Sequence, residues 1–257
     1  MVKQETKKVK LLSPKLDVVF QALFGEEGSE RITKDFLETI LNEKITEIDL
    51  SKNAILRREK IKEKLGILDV MVKINGKENC DIEMQIVEQT DIIERILYYW
   101  SKIYVKGIRK GERYEKLQRA IVILITDKNI KELEDISKYH TKWKIIETES
   151  RKKILTDKLE IHIIETEKIK NEKNDKDKLL DWLTFLNNPE SERVKEKMKE
   201  NENLKEAKEK LNKMSEDEKM EQIVWWREKA ILDENSNRSA AYDKGNEEGK
   251  KEKSKQG

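Results

Sequence analysis

The chain of 257 residues has one cysteine, two prolines and two histidines, and each scarcity removes a class of protein from consideration. A single thiol, Cys80, forms neither an internal disulfide nor a cysteine-based zinc cluster, which fits a reducing compartment. Cys80 itself reads as a small buried apolar residue. His140 and His162 are isolated, without H-x-x-x-H or H-E-x-x-H spacing, and read as structural or surface residues. G-x-x-x-x-G-K-[ST] and G-x-S-x-G are both missing, which argues against a P-loop NTPase and a serine hydrolase. The longest apolar run, AIVILI from Ala120 to Ile125, is far short of the roughly 20 residues that span a bilayer. The opening MVKQETKKVK is basic but has no apolar stretch behind a cleavage site, so it does not read as a signal peptide. A cytoplasmic protein without a membrane partner is expected. An excess of one charge sign is also lacking. With 55 basic and 53 acidic residues the formal net charge is +2, so a nucleic-acid partner has to be met by a local patch.

Charge as such is abundant. Charged residues make up 42% of the chain and hydrophobic ones 36%, a balance that suits one medium domain and a smaller, highly solvated part. Ser13-Pro14 reads as a cap and first helical position, and Gly25 ends the run LDVVFQALF as a left-handed cap does, which gives a short helix. Ile32, Phe36, Ile40 and Leu41 recur at helical spacing and give a second helix to about Asn42. The runs ITEIDL, LGILDVMVKI and CDIEMQIV read as strands, with Asn75-Gly76 the turn between the last two. Asp91 to about Lys110 reads as one long helix. RAIVILIT (Arg119 to Thr126) has the pattern of a central strand covered on both faces, and LEIHIIET (Leu159 to Thr166) that of a later one. Lys168 to Lys178 is almost wholly polar and marks the expected domain boundary. Beyond it the pattern is helical: LLDWLTFL up to Asn187-Asn188-Pro189, then Leu204, Ala207, Leu211 and Met214 as a hairpin or coiled-coil seam. Ser215 with Glu218 reads as a capping box opening a helix that carries Ile223, Trp226 and Ile231.

The stretch GILDVMVKINGKENCDIEMQ (Gly66 to Gln85) sets carboxylates inside apolar strands, where each costs several kcal/mol unless it is solvated, paired or bound to a cation. Mg²⁺ is commonly held by one or two protein carboxylates, with water and phosphate oxygens completing its octahedron, and Asp69 and Glu83 are the candidate pair. Strand parity tests this. A two-residue loop pairs 74 with 77 and puts Asp69 and Glu83 on opposite faces. An odd loop, for example Ile74-Asn75-Gly76 with Gly76 left-handed, puts Asp69, Glu83 and Gln85 on one face, with Ile82, Met84 and Ile86 on the other. The plain alternative is a hairpin with one wet face. On the next helix Ile93, Leu97, Tyr104 and Ile108 form the expected buried stripe, and Arg95, Lys102, Lys106, Arg109 and Arg113 lie on another side. Asp91 to Arg119 holds eight basic residues against four acidic ones, a local patch suited to sequence-independent phosphate contact.

LLSPKLDVVFQALFG, ILDV followed by IEMQ, RILYYWSKIYVKGIRKGERYEKL and LEIHIIE, in this order, resemble the PD-(D/E)XK nuclease family of transposases, also called recombination-promoting nucleases. The similarity runs from about Leu11 to Glu165, and the later helical pieces look like that family's C-terminal extension. The resemblance implies an α/β, restriction-endonuclease-like core, a mixed sheet flanked by helices, with an all-helical C-terminal extension. The implied divisions are 11–170 for the nuclease-like domain, 176–242 for the extension and 243–257 for a charged tail. It also implies a metal-dependent deoxyribonuclease using Mg²⁺, with Mn²⁺ as a substitute, and DNA as partner. By motif position Asp69 and Glu83 are the metal-binding acids, Asp17 completes the metal set, and Gln85 takes the place of the signature lysine, as in this family's own E-x-Q version. Arg95, Lys102, Lys106 and Arg109 are the expected DNA contacts, and the C-terminal helices are a possible homo-oligomer surface. One departure is Gln21, where such relatives commonly carry Lys after D-x-x-F. The alternative reading is a catalytically inactive DNA-binding or protein-interaction module.

Overall fold

Seven consecutive residues of AIVILIT are buried, and they form the centre of a six-stranded mixed sheet. The computed structural model describes residues 10–50, 70–86 and 91–253. Its strands are β1 (Ile48–Asp49), β2 (Val70–Ile74), β3 (Glu78–Gln85), β4 (Ala120–Thr126), β5 (His140–Trp143) and β6 (Leu159–Glu165), in the order β1-β2-β3-β4-β6-β5. β4 runs parallel to β3 and β6, and the remaining pairs are antiparallel. A parallel centre has to be covered on both faces, and the uninterrupted apolar runs of β4 and β6 meet that demand. The short, polar β5 (HTKW) carries no strand signal of its own; pairing with β6 makes it a strand.

Seven α-helices lie among the described residues: α1 (Asp17–Phe24), α2 (Glu30–Leu41), α3 (Ile92–Val105), α4 (Lys178–Asn187), α5 (Glu192–Lys197), α6 (Glu202–Glu216) and α7 (Glu218–Lys253). One sheet face packs Val122, Leu124, Ile161 and Ile163 against Ile92, Ile96 and Ile103 of α3. The stripe of α3 therefore differs from the expected one. Ile93 and Tyr104 are partly buried, but Leu97 is 49% exposed, because the helix turns the 92-96-103 edge to the sheet. The helix also stops at Val105, so Ile108, Arg109 and Arg113 follow it and are not on it.

The other sheet face carries Val70, Val72, Cys80, Ile82, Ile121 and Ile123, all buried. Cys80 is the buried small residue that its sequence context suggests. α1 reaches this face through Gly25, where an added Cβ would lie 2.9 Å from the Gln21 carbonyl oxygen and 3.2 Å from Val70 Cγ2. The glycine is required for space and not for a left-handed turn: its φ is −106°. The left-handed cap is Asn42, at φ 53°, which ends α2.

The chain separates into two compact units, Ser13–Asn212 and a smaller one whose described part is residues 10–12 with 213–253. The polar stretch 168–178 falls inside the larger unit. There α4 buries Trp182 completely, 5.9 Å from the Phe24 ring and 5.5 Å from Phe36, with its indole N–H donating to Asp35 at 2.9 Å. Leu204, Ala207 and Leu211 are also fully buried. In the smaller unit Ser215 belongs to the end of α6 and accepts from the Leu12 amide at 3.0 Å, and the Asp217 carboxylate receives the Lys219 amide at the start of α7, the capping role expected of Ser215. Trp225 and Trp226 of α7 are 55% and 62% exposed. No described helix is long and apolar enough to cross a membrane.

Candidate active site

The hairpin between β2 and β3 sets which side chains share a face. Val70 pairs with Ile82, Met71 with Asp81, and Ile74 with Glu78, a constant sum of 152. The loop is therefore the odd, three-residue one, Asn75-Gly76-Lys77, placed one residue later than the 74–76 example. Asn75 (φ 51°) and Gly76 (φ 67°) both take the left-handed conformation, and the Lys77 amide donates to the Ile74 carbonyl at 3.0 Å. Asn75 also holds the turn to the chain before β1, where its Oδ1 accepts from the Thr46 amide at 2.9 Å and the Thr46 hydroxyl at 2.7 Å.

With this register Asp81, Glu83 and Gln85 point to one face, and Ile82 and Met84 to the other. Asp81 and Glu83 are 3% and 2% exposed, two buried carboxylates two residues apart on the α3 side of the sheet. Lys73 projects from that same face of β2, opposite Asn79. Asp69 lies outside the described residues. Asp17 opens α1, with its Oδ1 accepting from the Val18 amide at 2.8 Å. Gln21 is 3% exposed within α1.

The cation nearest Glu83 among the described residues is Arg95. Its Nη2 lies 3.2 Å from Glu83 Oε1 and donates to the Tyr99 hydroxyl at 2.8 Å. The guanidinium carbon sits 5.5 Å from the Tyr99 ring centre. Burial by itself would lower the Arg95 pKa, but the Tyr99 hydrogen bond and the Glu83 charge hold it above its usual value. The Arg95 side chain is 18% exposed, with its guanidinium engaged by Glu83 and Tyr99. Lys102, Lys106 and Arg109 are exposed, with the Lys102 ammonium over the Tyr98 ring at 5.0 Å. Among the described residues no group of three His, Cys, Asp or Glu side chains is arranged to hold a metal ion.

The C-terminal ends of the parallel strands form a further polar cluster. The Asp127 amide donates to the Gln85 carbonyl at 3.0 Å, and the Asp127 carboxylate takes Lys15 at 2.7 Å and the Thr166 hydroxyl at 3.0 Å. Glu165 caps the turn after β4 by accepting from the Ile130 amide at 2.8 Å, and it pairs with Lys168.

A second buried set lies on the opposite sheet face. Glu160 and His162, both wholly buried, are joined at 2.8 Å, and His162 meets His140 at 2.8 Å through its other nitrogen. Arg119, Lys142 and Lys144 surround Glu160 at 2.7, 2.8 and 3.1 Å. Burial would raise the Glu160 pKa, but the bonds from His162 and the two lysines, with the Arg119 charge, hold it well below the usual carboxylate range. Burial lowers His140 to about 4, with help from His162 and Lys142, and lowers His162 as well. The i, i+2 spacing of Glu160 and His162 was the available sequence signal, since alternation sends both to one face. Asp81 had the same signal in CDIEMQ. Nothing in the sequence tied Arg95 to Glu83, which requires knowing how α3 lies on β3.

A mixed six-stranded sheet with helices on both faces and a buried acid on the strand after a hairpin is consistent with the PD-(D/E)XK nuclease fold. The family model described as PD-(D/E)XK nuclease family transposase matches residues 14–241, and the chain belongs to that family. No curated protein and no solved structure matches the chain. The match includes α4, α5, α6 and most of α7, so the helical part is integral to the family's pattern. Family membership makes this a nuclease-class protein linked to mobile elements, with DNA as the substrate of the class and divalent metals in general use.

Proposed function

We propose that the protein is a divalent-metal-dependent DNA endonuclease that acts in the recombination or transposition of mobile elements. The observation that supports this reading is the odd hairpin, which sets Asp81, Glu83 and Gln85 on one sheet face with Glu83 buried against the Arg95 guanidinium.

The donor chemistry fits a hard cation. Glu83 offers carboxylate oxygens in a dry strand interior, and it already draws the Arg95 guanidinium, so the site demands positive charge. Asp69 and Glu83 are the residues that would hold Mg²⁺ or Mn²⁺, with Asp17 as a third acid. When bound, such an ion polarises the phosphoryl oxygens and acidifies a water. Gln85 neither titrates nor carries charge, so its amide orients water or phosphate by hydrogen bonding. Lys102, Lys106 and Arg109 contact the DNA backbone without reading sequence. In the reaction a water oxygen forms the new P–O bond and the bond to the sugar oxygen breaks.

The test is incubation with plasmid in Mg²⁺, Mn²⁺ or EDTA, beside Glu83→Gln. Cleavage that needs the metal and falls at least about 100-fold in the variant supports the reading. The neutral residues at positions 21 and 85 favour one alternative, an inactive DNA-binding module. Salt-sensitive DNA binding without cleavage in either metal would establish that alternative instead.

A further inference from the structure

Positive charge reaches Glu83 from helix α3. The signature lysine of the class stands two residues after the strand acid; here that position is Gln85. Glu83 nevertheless has a cation at 3.2 Å, the Arg95 guanidinium, whose side chain is only 18% exposed. A guanidinium placed this deep is costly unless it serves an anion. It is also fixed in place. Tyr99, one helical turn further along α3, accepts from the same Nη2 at 2.8 Å and lies under the guanidinium. Lys102 and Lys106 of the same region are exposed, so they cannot supply a charge at Glu83 that is sheltered from water.

Resting on the nuclease reading above, we propose that Arg95 is the positioning residue of the Glu83 site, delivering from α3 the fixed cation that the class signature places on the strand. Its fork sets the direction of Glu83 Oε1 and balances that carboxylate's charge while no divalent ion is bound. An Arg95 that only pinned α3 to the sheet would do so through packing, and moving the charge elsewhere in the site would not replace it.

The experiment uses the full chain as wild type, Glu83→Gln, Arg95→Gln, Arg95→Lys and the double variant Arg95→Gln/Gln85→Lys. Plasmid cleavage in Mn²⁺ is read together with Mn²⁺ affinity by calorimetry in weakly alkaline buffer without DNA; thermal melting confirms that each form is folded. The expected result is a split in Arg95→Gln: cleavage falls at least about 100-fold, while Mn²⁺ binds about tenfold more tightly because Glu83 is no longer shared with a guanidinium. Arg95→Lys and the double variant each recover at least about tenfold of the lost cleavage. The inference is overturned if Arg95→Gln cuts at the wild-type rate, or if its loss comes with unchanged or weaker Mn²⁺ binding and no recovery on adding Gln85→Lys. In those cases wild type still cuts and Glu83→Gln does not, so the nuclease reading stands. A wild type that neither binds Mn²⁺ nor cuts overturns both.

Discussion

Glu83 and Glu160 show two ways in which one sheet holds a buried acid. Glu83, on the α3 face, has one described cation and lies beside Asp81, whereas Glu160, on the other face, is met by three cations and a histidine. The first acid is engaged by a guanidinium from α3, whereas the second is held within a network of basic side chains. The histidine pair beside Glu160 makes stability depend on pH. His140 titrates in the folded protein at about 4 instead of 6.5, so between these values the unfolded chain binds more protons. Stability from this group is complete above about pH 6.5 and is lost as pH falls toward 4. The melting temperature is expected to drop through that window and to drop less in His140→Gln, as scanning calorimetry will show. An equal drop in the variant would mean that other groups dominate. At this scale strand alternation put Glu83 and Gln85 on one face, as the register does, while Asp81 and Glu160 carry the same signal and were not singled out. The Arg95–Glu83 contact was not legible, because helical periodicity places a residue on a side of a helix without showing what the neighbouring strand offers it.

Most strands and helices followed from local pattern. β3, β4 and β6 read directly because apolar, β-branched runs have few alternatives. The hairpin parity did not, since Asn75-Gly76 is compatible with loops of two or three residues. Asn75 decides it by gripping Thr46 before β1, a contact 29 residues away in sequence. Asn75→Ala removes an acceptor for three donors and puts alanine at φ 51°, so unfolding titrations are expected to show a loss of about 1–3 kcal/mol. A loss below a few tenths would show that the turn does not depend on this side chain. The end of α3 was missed because the basic and apolar spacing continues past Val105 while the backbone does not. Gly25 ends α1 as expected, but through close contact with Val70, which no local signal reveals.

For the molecule as a whole, charge composition suggested a core and a solvated helical appendage. The larger unit instead extends to Asn212, because Trp182 completes an aromatic cluster with Phe24, Phe36 and Phe185. Composition marks where a chain is polar, and a polar connector can still join two parts of one core. Trp182→Ala is expected to cost about 3–5 kcal/mol in chemical denaturation and to lower the stability of the whole unit in one transition. A separate early transition confined to the helical part would contradict this shared core. The nuclease reading joins these scales, since the sheet, the odd hairpin and the α3 cation converge on Glu83. The measurement that tests it most directly is nicking of supercoiled plasmid by wild type and Asp69→Ala side by side in Mn²⁺. The account predicts metal-dependent nicking by wild type that disappears in the folded variant; equal nicking by both, or none by either folded protein, would contradict it.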